Sequence, residues 1–273
     1  MGTGMEVLED RPDAVEPRRA LHRHPWLVKY IAVVLALIGW EIVGYRVSPI
    51  FLVPFHAAVV EFFKLLASGV LVVETARSLV AFVIAMLIAT VLGIGLGLIM
   101  GRYRLVRVIF EPFINAAYAT PLVALTPLFI LWLGIDLLPK VVIISMLAFF
   151  PIVKNTFAGA ANVDQTVLEP AVSMGAKESQ IFTKVVIPYC VPFMMAGLRL
   201  AIGRGVVGMV VAEFLTAITG LGGLLVQYAG RFKTAQMFAP LFVIVMIGYG
   251  LTELVKALHE KVAPWKQTER DVS

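Results

Sequence analysis

The sequence predicts an all-helical integral membrane protein with six spanning helices. Of its 273 residues, 60% are apolar and only 15% charged, whereas a soluble domain carries about 45–50% and about 25%. The mean hydropathy is +0.90, and six segments meet or approach the length of about 20 apolar residues that crosses about 30 Å of hydrocarbon. This composition excludes a disordered chain, a disulfide scaffold and an autonomous nucleic-acid binder, so lipid is an expected partner and nucleic acid is not. The lone cysteine, Cys190, has apolar neighbours and reads as a small core residue.

Taken in order, residues 1–25 mix acids and arginines without a cleavage pattern and read as a retained tail. The first span is expected near 26–46. Residues 54–68 are too short to cross and place Glu61 and Lys64 at i, i+3, which suits a surface helix resting on Val59, Phe62, Phe63 and Leu66. The second span, near 79–100, repeats Gly93, Gly97 and Gly101 at four-residue spacing, with Gly95 offering a second row for close helix approach. The third, near 108–134, holds Pro121 and Pro127 and is expected to kink and to pack inside the bundle. Three further spans are expected near 140–160, 189–217 and 238–258.

Lys and Arg counts orient the chain. With six spans, fourteen of the 23 basic residues fall on the side of the N-terminus and six on the other, so both termini are expected in the cytoplasm. The implied organisation is a tail at 1–25, a first span and periplasmic surface helix at 26–77, a core at 78–258 and a cytoplasmic tail at 259–273.

The longest polar stretch between spans runs from about 161 to 187. Within it Glu169-Pro170 fits a helix start, with proline in the first turn and an acid near the positive end of the dipole, and Gly175 fits a sharp turn. Glu169, Ala171 and Gly175, followed after nine residues by Val185-x-Ile187-Pro188, resemble the EAA loop of ATP-binding cassette (ABC) importer permeases. Pro170 stands where that family usually has alanine, and Val185 replaces isoleucine. From about Ser78 to Trp265 the order of segments is similar to the nitrate, sulfonate and taurine group: GLIMGRYR, ATPLVALTPLFILWLGI, AFFPIVKNTFAG, GLRLAIG, VVAEF and GLGGLL.

The resemblance implies the type I (MetI-like) importer permease fold in the bacterial inner membrane. Its implied partners are a second copy of the chain, two cytoplasmic ABC ATPase subunits and a periplasmic or lipid-anchored binding protein. It also implies that Glu169, Ala171, Gly175, Val185, Ile187 and Pro188 couple the bundle to the ATPase, and that the solute is small and anionic. Related permeases are assigned other solutes, including thiamine precursors, so the chain alone does not name one. No GxxxxGK[ST] phosphate loop occurs, so ATP and Mg are expected on the partner ATPase and this chain is expected to have no catalytic residue or cofactor of its own. His22, His24, His56 and His259 have no second ligand at metal spacing and read as solvated side chains.

Ionisable residues within spans are pointers to function, because a centred Arg costs about 2.5–3.5 kcal/mol on insertion scales. Counted from Pro188, Arg199 and Arg204 lie roughly 16 Å and 24 Å along their helix at 1.5 Å per residue. Arg199 reads as an architectural contact to carbonyls or to Glu111, and Arg204 as a positive pathway lining. Glu213, near the outer end, reads as a structural or gating contact. Tyr118, Thr120 and Thr126 suit a pathway wall, although threonine before proline also satisfies its own backbone. The rival reading is an ion-gradient-driven carrier or channel, which would call for midplane carboxylates and inverted repeats. Glu41, Glu111, Asp136, Glu213 and Glu253 fall mostly toward span ends instead. A membrane enzyme lacks any nucleophile, base or metal constellation to work with.

Overall fold

A computed structural model describes residues 25–216 and 219–262. The expectations for the tail at 1–25, apart from Pro25, and for the end of the C-terminal tail concern residues outside that range. All regular elements among the described residues are helical: α1 (Pro25–Arg46), α2 (Phe55–Ala67), α3 (Val70–Arg102), α4 (Arg104–Ala119), a 3₁₀ turn (Leu122–Leu125), α5 (Thr126–Leu133), α6 (Leu137–Ala161), α7 (Gln165–Ser173), α8 (Glu178–Ile181), a π turn (Phe182–Val186), α9 (Ile187–Thr216), α10 (Leu221–Gly230) and α11 (Thr234–Val262). Five helical stretches are long and apolar enough to cross a membrane, and α4 with the turn and α5 makes a sixth if that bent pair is one span.

The chain divides into residues 1–56 and 57–273. In the first unit, Trp40 Nε1 donates to the Val53 carbonyl at 3.0 Å, tying the segment after α1 back onto the helix. His56, read as a solvated side chain, is exposed, and it lies 2.6 Å from Glu41 and stacks on Tyr45. The surface helix α2 forms where its sequence places it, with Lys64 2.7 Å from Glu61. That ion pair, with help from Gln236, holds the Glu61 carboxyl below the usual carboxylate range.

The second unit is organised around α6, whose most apolar stretch is 56% buried, more than that of any other spanning helix. In hydrocarbon no solvent pushes apolar helices together, so association relies on close packing between small residues. The glycine row does this against α6. A Cβ on Gly93 would lie 2.9 Å from the Ile152 side chain, and one on Gly97 would lie 2.7 Å from Thr156 and 2.9 Å from the Val153 carbonyl. Gly101 meets Ala160. On its other side α6 receives α9, where Gly197 abuts Pro151 and Ile152 and Gly208 abuts Ile144 and Leu147. Gly95 faces open space and forms no second row. The core of these three helices includes Phe82, Met86, Ile144, Ile152, Ile202 and Met209, and Cys190 is buried as expected.

Two expectations are corrected. The second span begins at Val70 rather than 79, because Val70 to Val73 are helix-compatible apolar residues and Gly69, at φ 79°, supplies the break. The third span does not pack inside the bundle as one kinked helix: it turns by 84° between Ala119 and Leu122. Pro121 cannot donate to the helix behind it, whereas Pro127 sits in the first turn of α5, where its missing N–H costs nothing. In this chain α4 is largely exposed, with Leu105 and Phe113 at 73% and 71%, and only Ile114 is buried.

The α3–α6 seam yields a paired test. Gly97→Val forces its side chain into the Thr156 side chain and the Val153 carbonyl and is expected to destabilise the detergent-solubilised protein by about 1–3 kcal/mol. Gly95→Ala, with nothing to meet and better helix propensity, is expected to be neutral or stabilising by up to about 1 kcal/mol in the same thermal unfolding measurement.

Candidate functional site

The polar stretch between α6 and α9 folds as two short helices and a π turn. Helix α7 starts at Gln165, capped by Asp164, whose Oδ1 accepts the Thr166 backbone N–H at 2.9 Å. That hydrogen bond holds the Asp164 carboxyl below its ordinary range. The start expected at Glu169-Pro170 is therefore corrected: both residues lie inside α7, and the cap four residues before Leu168 sets its register. Asp164 carried a legible signal, an N-cap residue followed by a short apolar-periodic run.

The end of α7 is built on Gly175. Its φ is 74°, a left-handed conformation that a Cβ disfavours. The Gly175 N–H reaches the Val172 carbonyl at 2.9 Å and the Ala176 N–H the Ala171 carbonyl at 3.1 Å, which is the paired closure of a Schellman cap. Glu169 is exposed and Ala171 is half-buried, while Val172 and Met174 are 60% and 86% exposed. A short helix thus ends with uncovered apolar side chains. Val185, in the π turn, and Ile187 and Pro188, at the start of α9, are half-buried, so the segment's C-terminal end is anchored in the bundle.

Arg102, read from sequence as a topology signal alone, pins this segment. It lies 2.5 Å from Glu178, and its guanidinium carbon lies 5.3 Å from both the Tyr103 and the Phe182 ring centroids. One side chain therefore links the end of α3 to α8 and the π turn through charge and cation–π contacts.

At the opposite end of α3, Glu213 is fully buried. Ser78 Oγ donates to Glu213 Oε1 at 2.7 Å, and the Gly222 N–H donates to Oε2 at 2.9 Å. The Leu221 N–H donates to Ser78 Oγ at 2.9 Å, and the Gly220 N–H to Glu74 Oε2 at 2.6 Å. Lys140 Nζ donates to the Thr219 carbonyl at 3.0 Å and to its hydroxyl at 2.8 Å. The Glu74, Ser78 and Glu213 oxygens thus receive the free backbone N–H groups that begin α10, and Lys140 holds Thr219 just ahead of them. Glu213 is thus a structural centre rather than part of an open wall, and Glu74, Ser78 and Lys140 join it without having stood out in the sequence. They come from α3 and α6, so only the tertiary fold brings them together. Helix α10 itself, too short to span, escaped the search for 20-residue segments.

The remaining candidates separate. Tyr118 and Arg204 meet: Arg204 Nη2 donates to Tyr118 Oη at 2.9 Å, and its guanidinium lies 4.3 Å from the ring centroid. Lys154 Nζ lies 4.5 Å from the same centroid. Thr120 is exposed, but its hydroxyl donates to the Ala116 carbonyl at 2.9 Å, closing the end of α4. Thr126 is fully buried and its hydroxyl has no partner among the described residues, so it does not line an open wall. Arg199 is exposed and forms no ion pair among the described residues, so the expected contact to Glu111 is not made.

Residues 89–267 match the model of the family described as binding-protein-dependent transport system inner membrane component. The chain belongs to this family. It is a multi-pass permease subunit of an ABC importer in the bacterial inner membrane. It is 28% identical to the putative aliphatic sulfonates transport permease protein SsuC of Bacillus subtilis (strain 168), over 94% of each chain. It is 31% identical to the taurine transport system permease protein TauC of Escherichia coli (strain K12), covering 85% of this chain and 86% of that one. A solved chain of the inward-facing MetNI methionine ABC transporter shares its fold, with a TM-score of 0.51 at 19% identity over 68% of this chain and 93% of that one.

The permease's buried carboxylate provides a stability test. Glu213→Leu leaves the Ser78 hydroxyl and the Gly222 N–H without their acceptor, at about 1–3 kcal/mol for each stranded group. Glu213→Gln, which keeps an acceptor oxygen, is expected to lose less. Unfolding midpoints of the two variants in the same detergent check the order.

Proposed function

We propose that this permease works as a homodimer that imports a small anionic solute, with two ATPase subunits on the cytoplasmic face and an extracytoplasmic binding protein delivering the cargo. ATP and Mg belong to the ATPase partner in this reading, and the permease supplies the passage. The observation that carries it is α7: a capped helix, uncovered on its apolar side chains Val172 and Met174, fixed at one end by Asp164 and at the other by Gly175. Such a helix presents an apolar face that a groove in a partner can cover.

Force on α7 has two routes into the bundle. One passes through Arg102 and Glu178 to the end of α3. The other passes through the π turn, which is continuous with α9. Closure of the ATPases on ATP would bias the bundle between inward- and outward-facing arrangements, because the nucleotide stabilises only one of them. Arg204, exposed on a spanning helix, supports the anionic character of the cargo, since a guanidinium facing lipid costs about 2.5–3.5 kcal/mol and one facing a wet passage does not. The names of the sulfonate and taurine relatives agree with a sulfonate or a similar oxyanion as the solute.

The test is reconstitution of the chain with its ATPase and binding protein in proteoliposomes. ATP-dependent uptake that requires the loaded binding protein is expected. Gly175→Val, which strains the Schellman cap and re-aims α7, is expected to cut uptake at least tenfold. Uptake and ATPase association both unchanged in that variant would remove α7 from the coupling role. Solute movement that follows an ion gradient and ignores ATP would favour a carrier.

A further inference from the structure

Three helices deliver three side chains to one point. Tyr118 comes from the last turn of α4, two residues before the 84° break. Lys154 comes from α6 and Arg204 from α9, and each holds its charge within 4.5 Å of the Tyr118 ring centroid. Two like charges gathered on one ring repel each other, and neither forms an ion pair among the described residues. What they receive is a neutral ring face and, for Arg204, one hydroxyl oxygen at 2.9 Å.

That compensation is incomplete by donor count. A guanidinium has five N–H donors and an ammonium three, and the phenol oxygen takes one of them. The unspent donors suit an anion with two or more equivalent oxygens, which a guanidinium fork binds in a bidentate way and an ammonium reinforces as a point charge. Arg204 is exposed and its two neighbours are half-buried, so the group is reachable from outside this chain.

We propose that Lys154 and Arg204 form a two-cation site for the acidic group of the solute, a sulfonate, nitrate or carboxylate, and that Tyr118 is a resident placeholder which the anion displaces. This rests on the import reading above and extends it to a specific site. The placeholder explains how one site both takes up and lets go. A carboxylate in its place would hold the cations too firmly for cargo to compete, and an aliphatic residue would leave them bare and retain the cargo. A neutral aromatic ring lies between those limits, since cation–π attraction is weak where water reaches it.

The test titrates the full chain in phosphatidylcholine nanodiscs with sodium methanesulfonate at constant ionic strength set by chloride, reading the thermal unfolding midpoint, with dimethyl sulfone as the neutral control. Methanesulfonate is expected to raise the midpoint saturably and dimethyl sulfone is not. Lys154→Gln and Arg204→Gln are each expected to raise the half-saturating concentration at least tenfold, with Lys154→Arg within threefold of the parent. Tyr118→Leu is expected to move it the other way and, in the reconstituted importer, to lower KM and kcat together. Glutamine variants that titrate like the parent, or an equal response to dimethyl sulfone, would overturn the site. So would a response confined to nanodiscs containing phosphatidylglycerol, which would assign the cations to lipid headgroups. If Lys154→Gln does not yield a monodisperse sample, Arg204→Lys decides, because loss of the fork should weaken binding at least threefold and unchanged binding contradicts the proposal. The titration needs no partner, so a chain that binds the anion yet never associates with an ATPase would break the import reading and leave the site standing.

Discussion

Everything in the second unit depends on how closely α6 can be approached. Apolar side chains gain nothing by leaving lipid for one another, so the fold relies on dispersion between well-fitted surfaces and on small residues that bring backbones together. Glycines on α3 meet one side of α6, and Gly197 and Gly208 on α9 meet the other. With those distances fixed, the two flanking helices also meet each other, as where Gly205 on α9 faces Phe82 and Met86 on α3. Ser78 on α3 then finds Glu213 on α9, and Lys154 on α6 shares a ring with Arg204 on α9.

Polar contacts are divided between the two ends of this packed core. At one end, acceptors from α3 and α9, Ser78 and Glu213 buried and Glu74 half-buried, receive the backbone donors that open α10. Each such donor would otherwise lie in a dry environment at a cost of about 1–3 kcal/mol, so α10 is locked to its neighbours. At the other end the contacts are exposed and few, chiefly the Arg102–Glu178 pair and the two caps of α7. A frame that is stiff at one end and loosely held at the other suits a device that receives force on the loose side.

The sequence was most legible where a local rule governs. Helix existence, the surface helix with its Glu61–Lys64 pair, the glycine row on Gly93, Gly97 and Gly101, and the left-handed turn at Gly175 all follow from spacing and backbone chemistry. Legibility failed where the outcome depends on what lies across the bundle. Gly95 shares the composition of its neighbours but faces away from α6. Glu213 and Lys140 resemble other charges near span ends until the fold brings Ser78 and Thr219 to them. The start of α7 was misplaced because a proline in the first turn is a familiar signal, and it outweighed the quieter cap at Asp164. From sequence Arg199 could meet carbonyls or Glu111, and only the fold shows it exposed with no ion pair among the described residues.

The broken third span also bears on how the protein is made. Helix α4 carries Arg104, Arg107, Glu111 and Asn115 on 16 residues, which is too polar for a segment that leaves the translocon alone into lipid. The more apolar stretch beyond the break, with Leu128, Leu131 and Trp132 exposed, is too short to cross by itself. Neither half is a self-sufficient insertion unit, but the two together are long and apolar enough to enter lipid as one bent unit, and Ile114 and Leu122 then join Ile143, Leu147 and Phe150 of α6 in one apolar cluster. Insertion of this segment is therefore a property of the bent pair as a whole and not of either helix.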